Sequence, residues 1–147
     1  MQEQPGYTIS TDLQRMDLKV IHGFLSSSYW AKNVPVEVVE RSMRHSLCFG
    51  AFQGERQAGF ARVVTDYATF GYVADVFVLP EDRGRGVSKQ LMAAIVAHPN
   101  LQGLRRLVLA TKDAHGLYAQ FGFQPLAQPS MFMTIHRPDI YLGLPER

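Results

Sequence analysis

The chain has 147 residues, of which 46% are hydrophobic and 19% charged, and a formal net charge of +2. This length and composition are typical of one globular domain, residues 1–147, and they exclude an intrinsically disordered chain. The small net charge gives no support for a partner of nucleic acid or of a membrane surface, and a single cysteine, Cys48, excludes an intramolecular disulfide and a cysteine-based zinc site.

The first ten residues, MQEQPGYTIS, are polar, and no apolar run approaches membrane-spanning length. We therefore expect a cytoplasmic protein with neither a signal peptide nor a membrane anchor. The His, Asp and Glu residues show no convincing metal-ligand spacing, so no metal site is expected.

The first half of the chain predicts one short strand, two helices and two longer strands. In order, they are a strand at 7–10, helices at 13–25 and 35–45, and strands at 47–52 and 57–65. Asp17 is an alternative start for the first helix. Pro35 favours the first turn of the second helix. Gln53–Arg56 has the composition of a hairpin turn.

The middle of the chain carries the strongest pattern. The β-branched run Val73–Leu79 is interrupted only by Asp75 and ends at Pro80, which has no N–H for a strand ladder. Apolar residues then recur at helical spacing over Val87–His98. Between the two lies the sequence RGRG at 83–86, whose glycines allow positive φ and close approach of a ligand. Because this loop leads into a helix N-terminus, it predicts an anion site of the kind that binds phosphate.

Two better-known phosphate motifs do not fit this loop. A P-loop would need Gly-Lys-Ser/Thr at a fixed distance, and a dinucleotide fingerprint would need a third glycine where Lys89 stands. The remaining alternative to an anion site is an ordinary polar turn between a strand and a helix.

The end of the chain predicts four more elements. They are a buried strand at 104–110, a short helix at 115–121, and two closing strands at 123–126 and 131–136. One strand–helix–strand crossover would make the strand at 104–110 parallel to its neighbour. A mixed sheet with helices on both faces follows.

With this element order, the chain resembles the GNAT superfamily of acetyl-CoA-dependent N-acetyltransferases over nearly its whole length. The superfamily's acyl-CoA loop has Arg or Gln, two residues, Gly, one residue, then Gly or Ala. Arg83, Gly86 and Ser88 stand at these positions, with a small serine at the last. The resemblance implies an α/β (α+β) GNAT fold, a single, mixed, mostly antiparallel sheet of about seven strands with a splayed parallel pair at the acyl-CoA site.

A second family pattern has Ala, two residues, Leu-Tyr and then Gly-Phe. Here it is matched by Ala114, Leu117, Tyr118 and the pair Gly122-Phe123. An asparagine often found seven residues before the tyrosine is replaced by Thr111. Both patterns occur together, at the spacing that one strand and one helix require.

The resemblance implies roles for residues along the two patterns. The strand end Val76, Phe77 and Val78 would pair with the pantetheine arm, and the loop N–H groups would hold the pyrophosphate, with Thr111 a further CoA contact. The predicted loop contacts are Arg83, Gly84, Arg85, Gly86, Val87 and Ser88. Tyr118 would be the general acid that protonates the leaving thiolate.

The amine also requires a base or a water relay. Asp75 is the best candidate because it is the acidic residue in an otherwise apolar strand, although such an aspartate can instead bond a neighbouring hydroxyl or backbone group. His115, His45 and Glu37 are weaker options. Cys48 is interpreted as a buried small hydrophobe, since nothing beside it in sequence would activate it.

By the same resemblance, Tyr29 and Trp30 would lie over the acceptor groove, and Tyr67 could line it. An aromatic groove suits a small amine with an apolar or cationic body. Tyr29 and Trp30 could equally close the edge of the core. Members of the superfamily are often dimers, and the segment 136–141 can serve an interface or pack locally.

These observations predict an N-acetyltransferase that moves an acetyl group from acetyl-CoA to a primary amine, on a small molecule or a peptide, without an acyl-enzyme. The competing hypothesis is a binding module, an acyl-CoA sensor that keeps the cofactor site without turnover. A longer acyl donor is a third alternative, since pocket depth is not visible in a sequence.

Overall fold

The computed structural model of the protein describes residues 6–144. The strands are β1 (Thr8–Ser10), β2 (Leu47–Gln53), β3 (Arg56–Thr65), β4 (Phe70–Val78) and β5 (Arg106–Leu109). The helices are α1 (Leu18–Ser26), α2 (Val36–Arg44), α3 (Val87–Ala97) and α4 (His115–Ala119). The outermost residues 1–5 and 145–147, and with them part of the polar start of the chain, lie outside the described residues.

The five strands form one mixed sheet in the order β1-β2-β3-β4-β5. The first three pairings are antiparallel, and β4 and β5 are parallel. The parallel pairing follows from the connection through α3, because a crossover helix returns the chain to the end of the sheet at which β4 began. The predicted mixed, mostly antiparallel sheet with one parallel pair is therefore confirmed.

Each face of the sheet is covered by its own apolar cluster. One cluster contains Leu91, Met92 and Ile95 of α3 against β2, β3 and β4. The other contains Ile21 of α1 and Val39 of α2 with inward-facing strand residues. The alternation of side chains along each strand serves both clusters, and helices on both faces are confirmed.

The first predicted helix is divided in the structure. Leu13–Arg15 form a 3-10 turn, and α1 begins only after Asp17, whose carboxylate accepts a hydrogen bond from the Val20 N–H at 3.3 Å. Asp17 is thus an N-cap that satisfies one free donor of the first turn. The alternative start at Asp17 is the observed one.

The prediction of about seven strands is wrong within the described residues, which hold five. Neither 123–126 nor 131–136 forms a strand. Alternating apolar residues predicted both segments, yet Met131, Met133 and Ile135 remain 73%, 96% and 85% exposed. Pro125 interrupts the first segment, since proline cannot donate to a ladder, and β5 offers an edge of only four residues.

Among the helices of residues 6–144, none combines the length and the apolar character needed to cross a membrane.

Candidate functional site

The RGRG loop joins the end of β4 to the N-terminus of α3. Gly84 and Gly86 both have φ of 78°, and Gly86 is the N-cap of α3 in the left-handed conformation. A Cβ on either glycine would meet no atom within 4 Å. Glycine is therefore required by the backbone conformation rather than by crowding. The open space in front of the loop is available to a ligand.

Positive charge surrounds this open space. Arg83, Arg85 and Lys89 are exposed, and the first N–H groups of α3 have no acceptor within their own helix. A pocket lies here, lined by Val78, Asp82, Arg83, Gly84, Gly86, Val87, Ser88, Lys89 and Leu117. The predicted anion-site residues are thus brought together with α4, which carries the second sequence pattern.

The parallel strands β4 and β5 separate beside this pocket. Their paired residues run from Phe70 and Arg106 to Val73 and Leu109, and the pairing ends there. Further along β4, residues 75 and 76 together face one residue of β3, because Phe60 pairs with Phe77 while Arg62 pairs with Ala74. A β-bulge of this kind bends the strand that carries it. Beyond Val73, β4 has no pairing with β5, as a splayed pair requires, and at its end the Val78 carbonyl accepts a hydrogen bond from Arg83 Nε at 3.3 Å.

Asp82 anchors the start of the loop. Its side chain is 1% exposed and accepts two hydrogen bonds from the Arg56 guanidinium, at 2.6 and 3.0 Å, and one from the Tyr7 hydroxyl at 2.8 Å. Arg56 is the main cause that lowers the pKa of Asp82, and the Tyr7 hydrogen bond acts in the same direction. The loop is therefore linked to β3 and to the segment before β1 through one buried carboxylate.

Replacing Asp82 with alanine is expected to lower the free energy of unfolding by about 1.5–3 kcal/mol at pH 7, because charge-assisted hydrogen bonds are lost and donors are left unpaired. Since folding lowers the pKa of Asp82, its contribution is complete above the ordinary value of about 4 and is lost as the pH falls through the folded-state pKa. Urea unfolding of wild type and Asp82→Ala at pH 7 and pH 3 measures this. Glu81→Ala, at the exposed neighbour, is the control. Equal stabilities of Asp82→Ala and wild type at pH 7 would contradict the anchoring role.

Tyr118 lies on α4, half-buried, with its ring centroid 6.1 Å from that of Phe123. Burial, and to a smaller degree the nearby Tyr29, raise the pKa of the Tyr118 phenol. The phenol is therefore protonated throughout the neutral range. Its neighbour Leu117 lines the pocket. The Thr111 hydroxyl accepts a hydrogen bond from the Ala114 N–H at 3.0 Å, so its own proton remains available to a further acceptor.

Tyr29 and Trp30 lie on the connection between α1 and α2, residues 27–35, which we call the acceptor loop. The Trp30 indole N–H donates to Asp75 Oδ1 at 3.0 Å, and Arg62 Nε donates to Asp75 Oδ2 at 2.9 Å. Tyr29 lies toward the other side of the separated strands, with Lys112 Nζ 5.4 Å from its ring centroid. The structure therefore brings Tyr29, Trp30 and Asp75 to the mouth of the gap.

Other predicted site residues lie elsewhere. Tyr67 is in the turn before β4, where the Asp66 carboxylate accepts hydrogen bonds from the next residues. From Phe70 to Asp75 β4 rises about 16 Å at ~3.3 Å per residue, so the structure does not bring Tyr67 to Trp30. Of the weaker base candidates, His115 begins α4, His45 follows α2 and Glu37 lies in the first turn of α2.

Cys48 is 1% exposed, and burial raises the pKa of its thiol to about 12. A thiol with this pKa is almost wholly protonated at neutral pH, and the thiolate is the nucleophilic form. The interpretation of Cys48 as a buried small hydrophobe agrees with this position.

Three residues of the site were not found by sequence reasoning. Asp82, Arg62 and Lys112 look like ordinary surface charges in the sequence, because their partners are remote along the chain. Asp82 and Tyr7, for example, are 75 positions apart. For these three residues, the sequence holds one signal, which is that Asp82 directly precedes the RGRG loop.

Comparison with known proteins supports one family. The family model described as "Acetyltransferase (GNAT) domain" matches residues 44–125, a range that spans the splayed pair, the loop and α4. A Gibberella zeae protein named as an acetyltransferase is 31% identical, over 78% of this chain and 76% of its own.

Solved structures agree with the family model. A GNAT-family protein from Xanthomonas campestris pv. campestris, described as an acetyltransferase, is 54% identical, with a TM-score of 0.92 over 95% of this chain and 99% of its own. Glucosamine-6-phosphate N-acetyltransferase from Arabidopsis thaliana is similar in fold alone, at 14% identity and a TM-score of 0.63, over 89% and 97% of the two chains. The chain belongs to the GNAT family of acetyltransferases.

Proposed function

We propose that this protein is an N-acetyltransferase that transfers an acetyl group from acetyl-CoA directly to a primary amine. One observation carries the proposal. The pocket at the N-terminus of α3 is lined both by Val78, at the end of the part of β4 that is not paired with β5, and by Leu117, the sequence neighbour of Tyr118. One pocket thus joins the glycine loop, the end of β4 and the helix that carries the phenol.

The residues present fit acetyl-CoA. The loop N–H groups and the N-terminus of α3 favour a pyrophosphate; Arg83, Arg85 and Lys89 add positive charge. Beyond Val73, β4 is not paired with β5, so its backbone groups there could bind an amide-containing arm as a neighbouring strand would. When bound, acetyl-CoA supplies a thioester whose acyl carbon accepts the amine and whose thiolate leaves.

The chain's own residues would orient the thioester and protonate the leaving thiolate. An N–H of the bulge in β4 can donate to an acyl oxygen placed in the gap. The Tyr118 phenol stays protonated in the neutral range, and it would donate its proton to a thiolate that forms directly beside it as the C–S bond breaks. Because the phenol has a higher pKa than the conjugate thiol, near ~8.5, this transfer requires the thiolate to form in hydrogen-bond contact with the phenol. The raised pKa of Cys48 supports direct transfer, because no activated thiol is present there to form an acyl-enzyme.

The acceptor loop supports a small amine with an apolar or cationic body. Tyr29 and Trp30 are 70% and 44% exposed, and their rings meet edge to face with centroids 5.1 Å apart. Exposed aromatic faces beside a gap bind cations and apolar groups. A peptide amine would use the same faces.

The test is release of CoA thiol by the wild-type protein across a panel of primary amines with acetyl-CoA as donor. We expect saturable turnover with at least one amine. Binding of acetyl-CoA without acetylation of any amine in a broad panel would instead favour the acyl-CoA sensor. Longer acyl-CoA donors run in parallel determine chain-length preference.

We also propose a homodimer in which a second copy covers Met131, Met133 and Ile135. Met131 ends the 3-10 turn Pro129–Met131, Met133 and Ile135 follow it, and the ring centroid of Phe132 lies 5.1 Å from the Arg106 guanidinium of β5. Parallel strands are normally covered on both faces, yet Leu107 and Leu109 of β5 are only half-buried. Within residues 6–144, each copy therefore carries a partly covered edge strand and a run of exposed apolar side chains, which a two-fold axis can pair.

Replacing Met133 and Ile135 with aspartate is expected to convert the dimer to a monomer, because two charges would be buried without partners. Size-exclusion chromatography with light scattering measures the mass. Val96→Asp, at an exposed position of α3, is the control and should remain dimeric. A monomeric wild type at all concentrations would contradict the proposed dimer.

A further inference from the structure

Asp75 has an unusual backbone for a non-glycine residue inside a strand. Its φ is 57°, and it is the first of the two residues of β4 that face one residue of β3 in the bulge. Glycine usually occupies this position of such a bulge, because an L side chain is strained there. Aspartate tolerates the left-handed region better than most residues. Its presence is nevertheless a cost that a side-chain interaction has to offset.

Both oxygens of the Asp75 carboxylate are engaged. One accepts from the Trp30 indole and the other from Arg62, and Arg62 also donates from Nη1 to Ser46 Oγ at 3.0 Å. The side chains of Arg62 and Asp75 are only 17% and 13% exposed. Water therefore screens this ion pair less than it screens a surface pair.

These hydrogen bonds join two parts of the site that are remote in sequence. Trp30 belongs to the acceptor loop, and Asp75 belongs to the bulge where β4 leaves β5. Tyr29, the neighbour of Trp30, has Lys112 of the β5–α4 connection over its ring. The acceptor loop therefore contacts both sides of the gap, and on the β4 side its polar contact is with the bulge itself.

We propose that Trp30, Asp75 and Arg62 form a latch that seats the acceptor loop against the bulge, with Asp75 as a positioning residue rather than the general base. This deepens the proposed function and rests on it. Each carboxylate oxygen already accepts a hydrogen bond from a donor of another element, so the carboxylate is placed to hold these donors together. Proton removal from the amine then falls to water or to another group, and the latch determines acceptor affinity.

Two variants separate the backbone from the side chain. Asp75→Gly places in the bulge a residue that adopts a φ of 57° without strain, and it removes the carboxylate. Trp30→Phe keeps an aromatic ring and removes only the indole donor. We expect each to raise the acceptor KM about tenfold, since each removes the one charge-assisted hydrogen bond that joins the acceptor loop to the bulge. The kcat, its pH profile and acetyl-CoA affinity should stay within a few-fold.

The double variant is the sharpest comparison. If both changes break the same latch, Asp75→Gly with Trp30→Phe should raise KM no more than either alone. A general base would behave differently. Asp75→Gly would then lower kcat by about a hundredfold or more and alter the pH profile, whereas Trp30→Phe would change neither. That pattern would overturn the latch.

A spectroscopic measurement tests the latch without turnover. Trp30 is the only tryptophan of the chain, so intrinsic fluorescence reports on the acceptor loop. In Asp75→Gly, we expect red-shifted emission and stronger acrylamide quenching; Glu55→Gly, in the exposed β2–β3 turn, should match wild type.

If Asp75→Gly does not fold, Asp75→Asn replaces it, because an amide presents N–H to at least one of the two donors. Unchanged emission in the folded variant would overturn the latch, whereas absence of wild-type turnover would count against the enzyme alone.

Discussion

The double variant Arg83→Glu, Gly86→Glu is expected to lose acetyl-CoA affinity by more than a hundredfold. Arg83 contributes positive charge to the pocket, and Gly86 allows the left-handed cap of α3. The variant would lose the interaction of the pyrophosphate with the Arg83 charge and its hydrogen bonds to the N–H groups at the cap of α3. At about 1.5 kcal/mol each, the two losses amount to about 3 kcal/mol, which is over two decades in Kd. Two new carboxylates would also repel a pyrophosphate. Calorimetric titration of acetyl-CoA into wild type and variant measures the loss.

The control for this experiment reproduces the charge change and the backbone strain away from the pocket. Arg41 is exposed on α2, and Gly54 has φ of 62° in the β2–β3 turn with open space around its Cα. Arg41→Glu with Gly54→Glu should bind acetyl-CoA like wild type. If wild type itself does not bind acetyl-CoA, the RGRG loop is only a turn, and the proposed acyltransferase function fails with it.

The second large effect is expected at Tyr118. Replacing Tyr118 with phenylalanine removes the phenolic proton and leaves the ring contact with Phe123. Loss of a general acid typically costs 10²–10⁴-fold in rate, so we expect kcat to fall by about that factor while the Kd of acetyl-CoA is unchanged. Steady-state kinetics with the best amine of the panel, combined with calorimetry, measures both quantities. Tyr72→Phe, at an exposed position of β4, is the control.

The pH dependence follows from the raised pKa of Tyr118. The acid form is the active form, and raising its pKa extends that form to higher pH. Activity should therefore show no loss from phenol ionisation until the pH exceeds the ordinary tyrosine value of about 10. Full turnover by Tyr118→Phe would show that another group protonates the thiolate.

Local patterns predicted much of this protein because their causes are local. The helix N-cap at Asp17, the end of β4 before Pro80 and the glycine loop depend on residues within one turn of each other. The splayed pair was expected only from the family resemblance, and the position of the bulge in β4 was found only in the structure, since a single extra residue in a strand leaves no periodicity that a sequence shows. The closing strands failed because alternation predicts a strand only where a partner edge exists.

Hydrogen bonds between residues that are remote in sequence could not be predicted before the fold was known. The Asp82 carboxylate meets Tyr7 across 75 positions, and Asp75 meets Trp30 across 45. No spacing rule connects such residues, because the sheet order and the α1–α2 connection bring them together. The sequence alone left both roles open for Asp75, as a base or as a residue bonded to its neighbours.

Periodicity, glycines and two short motifs directly encode the fold class, the family and the loop that presents N–H groups, so these could be predicted before the fold was known. The surroundings of Asp75 and Asp82, and the aromatic residues that contact the bulge, were visible only in the folded chain. The physical reason is that a buried carboxylate is defined by its donors, and those donors come from strands and loops that only the folded chain places within 3 Å of it.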